Sequence, residues 1–521
     1  MSKLIGKKDN RIKTLVPVFA LLIFCVVMLA LIAFVPALFD SDDMGKDFPM
    51  YAVTSPGGLK IFPYCDDDTG DIYFFLPGKT KYKLVKKDDS FKGNIFFLNG
   101  GEVNTMYIVT GKDSMKDVDE DPHHKTEATA DYSIYAPSGA KETSGKLKIS
   151  GHGNSTWTEL MEEFPGQEFK RSYNISFIEK KSILGMDRAG SYVLLSNFYD
   201  ESGIKNYAAL ETARRLGMEN VPDCEYVNLY INGEYRGLYL AAQKIKENNG
   251  FLDLSSDGYL AKFDYEERVK AEGNLYVETG DLFAKVLYPS GADGEKLAEI
   301  TTDLRKVEDA VRSGEDDFAK VADEESFIKY YLLQEFFENG DADRASQYIY
   351  KKEKDGKIIA GPVWDFDLAM GHPWFSYDGD ETNALWIKGL VEKNGWLRGL
   401  SDDDAFMEKT YKYYEDSFSG VVGDVICTVI PETTGRIGDS FHMDMIRYDK
   451  GPVYFDKFDY GKYGSEKYDN SVIAGSVSDW LIRRKEFWDD YAKDPDSYIE
   501  EVREPGKDTR SIRELIVMKK K

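Results

Sequence analysis

The sequence predicts a mixed α+β fold, with short strands in the first half of the chain and helices in the second. In the first half, Lys146-Leu147-Lys148-Ile149-Ser150 alternates polar and apolar side chains, as a half-buried strand does. In the second half, apolar side chains recur every three or four residues in two stretches, which is the helical period. Apolar residue types make up 42% of the 521 residues, so the chain can bury a large core and is not disordered.

The first 39 residues are predicted to lie outside this fold. A basic segment at 1–13 precedes an uncharged, mainly apolar run at 14–39, and aspartates follow it. The run is long enough to cross a bilayer and exceeds the apolar centre of most cleaved signal peptides. The basic flank favours an N-terminus in the cytoplasm. We therefore predict a single-pass membrane protein with a signal anchor and an extracytoplasmic domain, in preference to a cleaved signal peptide.

The rest of the chain is predicted to have three parts. Residues 40–102 form a β-rich extension, because their short apolar runs are bounded by Gly, Pro and Asp. Residues 103–495 form one domain without repeats or a long linker, and residues 496–521 form a charged tail. The formal net charge of −25 argues against nucleic acid as a partner.

Several elements of the domain are predicted from local patterns. Asn232-Gly233 is a strong signal for a tight hairpin. Apolar stripes at 297–311 and 327–336 predict helices, and a further helix is predicted at 202–216. A second hairpin leads to residues 361–371, and the chain is predicted to be mostly helical beyond residue 383.

Residues 361–371 form the most informative motif. Asp365 and Asp367 lie two positions apart in an apolar run, and both point to one side if the run is a strand or its end. Paired carboxylates suit a divalent cation. Asp341 follows the second apolar stripe in a loop, where an acid could accept a proton or serve as a second metal ligand. A purely structural cluster of acids is the alternative.

A second motif, Gly151-His152-Gly153-Asn154-Ser155, follows a predicted strand. Glycines in such a turn let backbone amides approach a phosphate closely. A plain turn explains the same pattern.

The order of these motifs resembles the CotH kinase family from about residue 104 to about residue 491. Each motif is moderately specific, and the resemblance rests on six of them in the right order. They are Gly153-Asn154-Ser155-Thr156-Trp157, Leu184-Gly185-Met186, residues 194–200, Lys205-Asn206, the hairpin at 230–240 and residues 361–371.

The resemblance implies an atypical protein-kinase-like fold of two lobes, a β-rich N-lobe and a helical C-lobe, which hold ATP and Mg²⁺ or Mn²⁺ between them. It implies that Asp341 is the catalytic acid and that Asp365, Asp367 and Gln347 are metal ligands. The partner would be a surface or secreted protein, phosphorylated on Ser or Thr. The implied nucleotide-binding residues are Gly151, Gly153, Asn154, Ser155, Lys170 and Arg171.

Four positions depart from the family pattern. His152 stands where Arg is frequent, Gln347 where many relatives have Asn, and Gln243 and Lys262 where Glu is common. A catalytically degenerate binding protein, an adhesin or a cell-envelope scaffold, is therefore an alternative function. A glycosidase that uses two carboxylates is a third.

Some side chains are predicted to have structural roles only. Trp157, Trp364 and Trp480 are predicted to lie in the core. Arg483 and Arg484, near the C-terminus, are predicted to lie on a solvated helix face.

Overall fold

The computed structural model describes residues 102–521, with gaps at 112–113, 138–139, 164–168, 272, 281, 314–316, 343–344, 372–381, 391–394, 449–469 and 504–514, and the strands between residues 53 and 99. The predicted membrane-spanning run at 14–39 lies outside the described residues. Within those residues, every helix is too short or too polar to cross a bilayer.

Strands and helices are numbered here in chain order. The strands are β1 (Val53–Thr54), β2 (Lys60–Ile61), β3 (Tyr64–Cys65), β4 (Asp71–Phe74), β5 (Lys81–Lys86), β6 (Ile95–Asn99), β7 (Asn104–Thr110), β8 (Glu127–Tyr135), β9 (Lys141–His152), β10 (Ser172–Lys181), β11 (Ala189–Leu195), β12 (Cys224–Ile231), β13 (Glu234–Gln243), β14 (Tyr259–Phe263), β15 (Tyr276–Thr279), β16 (Leu282–Tyr288), β17 (Gln347–Lys351), β18 (Ile359–Ala360), β19 (Tyr498–Arg503) and β20 (Leu515–Lys520). The helices are α1 (Ser114–Glu120), α2 (Leu160–Glu163), α3 (Lys205–Arg215), α4 (Glu266–Val269), α5 (Gly294–Ser313), α6 (Phe318–Val321), α7 (Glu324–Phe336), α8 (Trp386–Gly389), α9 (Trp396–Leu400), α10 (Asp404–Tyr413), α11 (Ser419–Asp424), α12 (Ile430–Arg447) and α13 (Asn470–Tyr491).

A closed β-barrel forms the first part of the domain. Its strands follow the order β10-β11-β13-β12-β7-β8-β9, and only the β12–β7 pair is parallel. The predicted hairpin is confirmed, because Asn232 and Gly233 connect β12 to β13, and Asn232 has a φ of 53°. Apolar side chains such as Met106, Ile149 and Trp157 form a core of their own inside the barrel.

A second sheet and the helices form the other part. The sheet has the order β15-β16-β14-β17-β18 and is antiparallel. Its β17–β18 hairpin is the one predicted ahead of residues 361–371. The two predicted apolar stripes lie on α5 and α7 and are buried in a large shared core. Trp364 and Trp480 lie in this core, as predicted. The mixed α+β prediction is thus confirmed.

Arg484 does not lie on a solvated face, so that prediction is wrong. Its side chain on α13 is fully buried and donates to the carbonyls of Phe336, Thr382 and Ala384. The reason is that α13 packs where α7 ends, and the guanidinium satisfies backbone carbonyls there. Arg483, the preceding residue, is exposed as predicted.

The segment predicted as a charged tail contributes a hairpin. Strands β19 and β20 pair in antiparallel register. Leu515 and Val517 on β20 are buried against Ala384. The signal in the sequence was the short apolar run at 515–518, which lies between charged segments.

Candidate functional site

Two loops that are distant in sequence bring three acidic side chains together. Asp341 follows α7, and Asp365 and Asp367 follow β18. The backbone N–H of Gly340 donates to the carbonyl of Leu368 at 3.3 Å, which joins the two loops. We call Asp341, Asp365 and Asp367 the acid cluster.

Asn339 fixes the backbone at two positions of this cluster. Its side-chain amide donates to the carbonyl of Asp365 at 3.1 Å, and its Oδ1 accepts from the N–H of Asp341 at 3.2 Å. The indole N–H of Trp386 donates to the carbonyl of Asn339 at 2.7 Å. The position of Asn339 is therefore itself determined by the core.

The two acids after β18 lie in a loop and not on a strand. The strand ends at Ala360, and Asp365 has a φ of 71°, in the left-handed region that few residues other than glycine adopt. Its Oδ2 accepts a 2.6 Å hydrogen bond from Oγ of Ser346. The condition for strand alternation is therefore not met, because a loop and not a strand carries both carboxylates.

The carboxylates of the acid cluster repel one another. Burial, with the charges of Asp365 and Asp264, raises the pKa of Asp341 to about 7. Burial, with the charges of Asp365, Asp341 and Asp200, raises the pKa of Asp367 well above its usual range. Carboxyl groups gathered in this way favour the binding of a cation, which would remove the repulsion.

Three charged residues beside the acid cluster were not predicted as site residues. Nζ of Lys262 lies 2.8 Å from Oδ2 of Asp264, and Arg268 lies 3.4 Å from the same carboxylate. Burial opposes the charge of Lys262, but Tyr348, Asp264 and Asp365 together raise the pKa of its ammonium group. The sequence did carry one signal. Lys262 and Asp264 are two positions apart at the end of a strand, a spacing that places both on the same side.

The side chains at the acid cluster suit a divalent cation whose remaining ligands are phosphate and water. Among the described residues, no three His, Cys, Asp or Glu side chains lie close enough together to enclose a metal ion. Mg²⁺ does not need such a set, because one or two carboxylates suffice when phosphate and water complete its shell. Asp365 and Asp367 supply those carboxylates. The side-chain nitrogen of Gln347 is buried and has no hydrogen-bond partner in the described part of the chain, and the amide oxygen of this side chain would be the ligand to the cation.

Residues 151–155 comprise the last two residues of β9, which pair with β10, and the bend that follows them. A Cβ on Gly151 would lie 2.6 Å from the ring of Trp157, and Gly153 has a φ of 111°, so both positions favour glycine. Asn154 is exposed, and its carbonyl accepts from the N–H of Trp157 at 3.1 Å. Ser155 begins a segment of π-helix. We call residues 151–155 the glycine turn.

An ion pair and an electrostatic effect show that the glycine turn lies near the charged residues of the site. Glu159, just after the turn, pairs with Arg268 at 2.8 Å, and the charge of Arg268 in turn acts on the acid cluster. Burial, followed by the charges of Lys244, His124 and Lys262, lowers the pKa of His152 to about 3. His152 is therefore neutral and stands in a positive environment.

The two cations predicted to bind phosphate have protein partners. Lys170 donates to the carbonyl of Leu238 at 2.6 Å and pairs with Asp444 at 2.7 Å. Arg171 donates to the backbone carbonyl of Asp119. The sequence could not show the ion pair of Lys170, because its partner lies 274 positions away.

Asp200 and Asn206 support the site from α3. The carboxylate of Asp200 accepts from the N–H groups of Ser202 at 2.9 Å and Lys205 at 2.7 Å, which caps the helix. Oδ1 of Asn206 accepts a 2.7 Å hydrogen bond from the N–H of Phe366, the residue between the two acids. The Lys205-Asn206 motif therefore has a structural role in holding the acidic loop.

Comparison with known protein families gives a match. The family model described as CotH kinase protein matches residues 149–439, which is more than half of the chain. The match includes the glycine turn, the acid cluster and the lysine and arginine beside it. A search of curated proteins found no match.

Proposed function

This chain belongs to the CotH kinase family, and from that premise we propose that it is an atypical protein kinase that transfers the γ-phosphoryl group of ATP to Ser or Thr of another protein. The acid cluster carries the proposal. Burial and the charge of Asp365 raise the pKa values of Asp341 and Asp367, and the acid cluster lies beside the glycine turn and several cations. Phosphoryl transfer requires mainly positioning and charge neutralisation, which such a set can supply.

We assign Asp341 as the general base that takes the proton from the acceptor hydroxyl. The hydroxyl oxygen attacks the γ-phosphorus, the bond from that phosphorus to the bridging oxygen of ADP breaks, and the hydroxyl proton passes to the Asp341 carboxylate. A pKa of about 7 suits this role, because the group can hold a proton near neutral pH and release it again.

We assign Asp365, Asp367 and Gln347 to the divalent cation, Mg²⁺ or Mn²⁺, which neutralises phosphate charge when bound. Ser346 orients Asp365 through its hydrogen bond. A cation between these groups would offset the repulsion within the acid cluster, whereas burial, the largest cause of the raised pKa of Asp341, would remain.

The nucleotide would lie against the glycine turn, with contacts from Gly151, Gly153, Asn154 and Ser155. Lys170 and Arg171 were predicted to share this role. Each would first have to leave its protein partner, so we propose that they position β10 beneath the turn instead.

The test is phosphate transfer by the purified full-length protein. With radiolabelled ATP and Mn²⁺ or Mg²⁺, we expect label on the protein itself or on a Ser/Thr-rich acceptor such as casein. Asp341→Asn and Asp365→Asn should each abolish the label. Asp355→Asn, an exposed aspartate in the β17–β18 turn, is the matched control and should retain it. Label that persists in Asp341→Asn would contradict the assignment.

We also propose that the domain is extracytoplasmic and anchored by the run at 14–39, with a surface or coat protein as substrate. The order of charges around that run supports this orientation. Protease added to intact cells should then digest the domain. Digestion only after lysis would place the domain in the cytoplasm.

A catalytically degenerate surface-binding protein is the second candidate function. The observation in its favour is Lys262, which puts a cation beside the acid cluster where relatives have Glu. Calorimetry that detects no ATP binding with either metal, on protein that unfolds cooperatively, would favour this function over the kinase.

A further inference from the structure

Lys262 and Lys285 face each other across two strands. In the antiparallel register of β14 and β16 they are direct partners. Like charges at opposed positions destabilise a strand pair, so the fold alone does not favour this arrangement. Lys262 has Asp264 as a partner. Within the described residues, Lys285 is half-buried and has neither an ion pair nor a hydrogen-bond acceptor for its ammonium group.

Lys244, just after β13, connects this pair to the glycine turn. Its Nζ donates to Oδ1 of Asn174 at 2.8 Å, and the amide of Asn174 donates to the carbonyl of Gly151 at 2.6 Å. No carboxylate in the described part of the chain lies within ion-pair distance of Lys244. We call Lys244, Lys262 and Lys285 the lysine cluster.

The positive charge of the lysine cluster is only partly compensated. Burial and the charges of Lys246 and Lys285 lower the pKa of Lys244, against a small opposing effect of Glu127. Burial and the charge of Lys262 lower the pKa of Lys285, against an opposing effect of the charge of Asp264. Such a concentration of positive charge is notable in a chain whose net charge is −25. It favours a polyanionic ligand.

We propose that the lysine cluster binds the polyphosphate chain of the nucleotide, between the glycine turn and the acid cluster. This inference rests on the proposed function and names the groups that hold its substrate. Lysine ammonium groups bind phosphate well, because they donate hydrogen bonds to its oxygens and carry a positive charge. Lys244 adjoins the glycine turn through Asn174, and Lys262 pairs with Asp264, whose charge acts on the acid cluster, so the lysine cluster lies between the two.

The proposal gives a function to Lys262, which stands where Glu is common in the family. An acid at this position would repel phosphate, so a metal cation would be needed between the acid and the phosphate. Lysine at the same position attracts phosphate directly. Polyphosphate binding in this chain should therefore depend less on divalent metal than the acid cluster alone would require.

The experiment is calorimetric titration of the full-length protein with ATP, ADP, AMP and inorganic tripolyphosphate, in Mg²⁺ and in EDTA. Affinity should increase with the number of phosphates, and tripolyphosphate should bind in EDTA. Lys285→Met, which keeps the packing of the stem, should weaken ATP and tripolyphosphate binding by about tenfold or more and AMP binding less. Lys354→Met, at an exposed lysine in the β17–β18 turn, is the matched control. It should bind like the wild type.

Two outcomes separate this inference from the proposed function. If Lys285→Met and Lys244→Met bind ATP and tripolyphosphate like the wild type, while Asp365→Asn loses Mg²⁺-dependent ATP binding, the lysine cluster proposal is overturned and the kinase proposal stands. If Lys285→Met and Lys244→Met weaken the binding of ATP and tripolyphosphate, while the wild type transfers no phosphate, the lysine cluster proposal stands and the kinase proposal fails. Thermal melting of each variant verifies that it is folded.

Discussion

Arg484 and Glu335 form an ion pair at 2.9 Å in which both side chains are fully buried. A carboxylate oxygen of Glu335 also accepts from the N–H of Trp386 at 2.8 Å. The indole of Trp386 in turn donates to the carbonyl of Asn339, which holds the backbone of Asp341. The pair therefore connects the C-terminal helix to the loop of the acid cluster.

We expect Arg484→Met to destabilise the protein by about 3–5 kcal/mol, because it leaves the carboxylate of Glu335 buried without its charged partner. Equilibrium unfolding in urea measures the change. Arg483→Met, at the exposed neighbouring position on α13, should change the free energy of unfolding by no more than about 0.5 kcal/mol. Similar small effects of both substitutions would show that the buried pair does not contribute to stability.

Ser346→Ala tests how Asp365 is oriented. Ser346 donates a 2.6 Å hydrogen bond to Oδ2 of Asp365, and losing a partner of this kind typically lowers metal affinity about 10-fold or more. We expect weaker Mn²⁺ binding by calorimetry with little change in melting temperature. Ser497→Ala, whose hydroxyl only donates to a backbone carbonyl at an exposed turn, should not affect Mn²⁺ binding. Unchanged affinity in Ser346→Ala would show that the hydrogen bond does not tune the metal site.

Asp341 gives a pH dependence of stability. Its folded pKa of about 7 exceeds the ordinary value of 3.8, so between these values the folded state binds more protons than the unfolded state. Stability therefore falls as pH rises through this window, by no more than about 4 kcal/mol. In metal-free protein, Asp341→Asn should raise the free energy of unfolding at pH 8 and change it much less at pH 5.

Unfolding of the wild type and Asp341→Asn at both pH values measures this difference. Asp355→Asn, at an exposed position, should have the same small effect at pH 5 and at pH 8. A stabilisation by Asp341→Asn that does not depend on pH would show that the ionisation of this carboxyl is not linked to folding. Saturating Mn²⁺ should reduce the stabilisation, because the cation offsets the repulsion within the acid cluster.

The elements that depend on local sequence could be predicted. The turn at Asn232-Gly233 and the apolar stripes of α5 and α7 are set by residues a few positions apart, and the structure has them where expected. The environment of Arg484 could not be predicted. It depends on where a helix near the C-terminus packs, and its hydrogen-bond acceptors lie 100 or more positions away.

The candidate site, too, could be predicted only in part. The motifs around Asp341 and Asp365 indicated two acids, and the structure brings them into electrostatic contact. The same motifs could not indicate which cations complete the site. Lys262 and Lys285 become neighbours only through the pairing of β14 with β16, a tertiary contact that no local pattern encodes.

The ion pair of Lys170 and Asp444 gives the last prediction. Burial lowers the pKa of Lys170 and raises that of Asp444, and the pairing opposes both shifts. Lys170→Met and Asp444→Leu alone should therefore each cost about 3–5 kcal/mol by leaving one charge unpaired in the interior, whereas the double variant should recover much of that loss. The exposed pair of Lys146 and Asp131 at 3.0 Å is the matched control, with a coupling energy below about 1 kcal/mol. Strictly additive effects in the Lys170 cycle would show that the two charges do not stabilise each other, and Lys170 would then be free to bind phosphate.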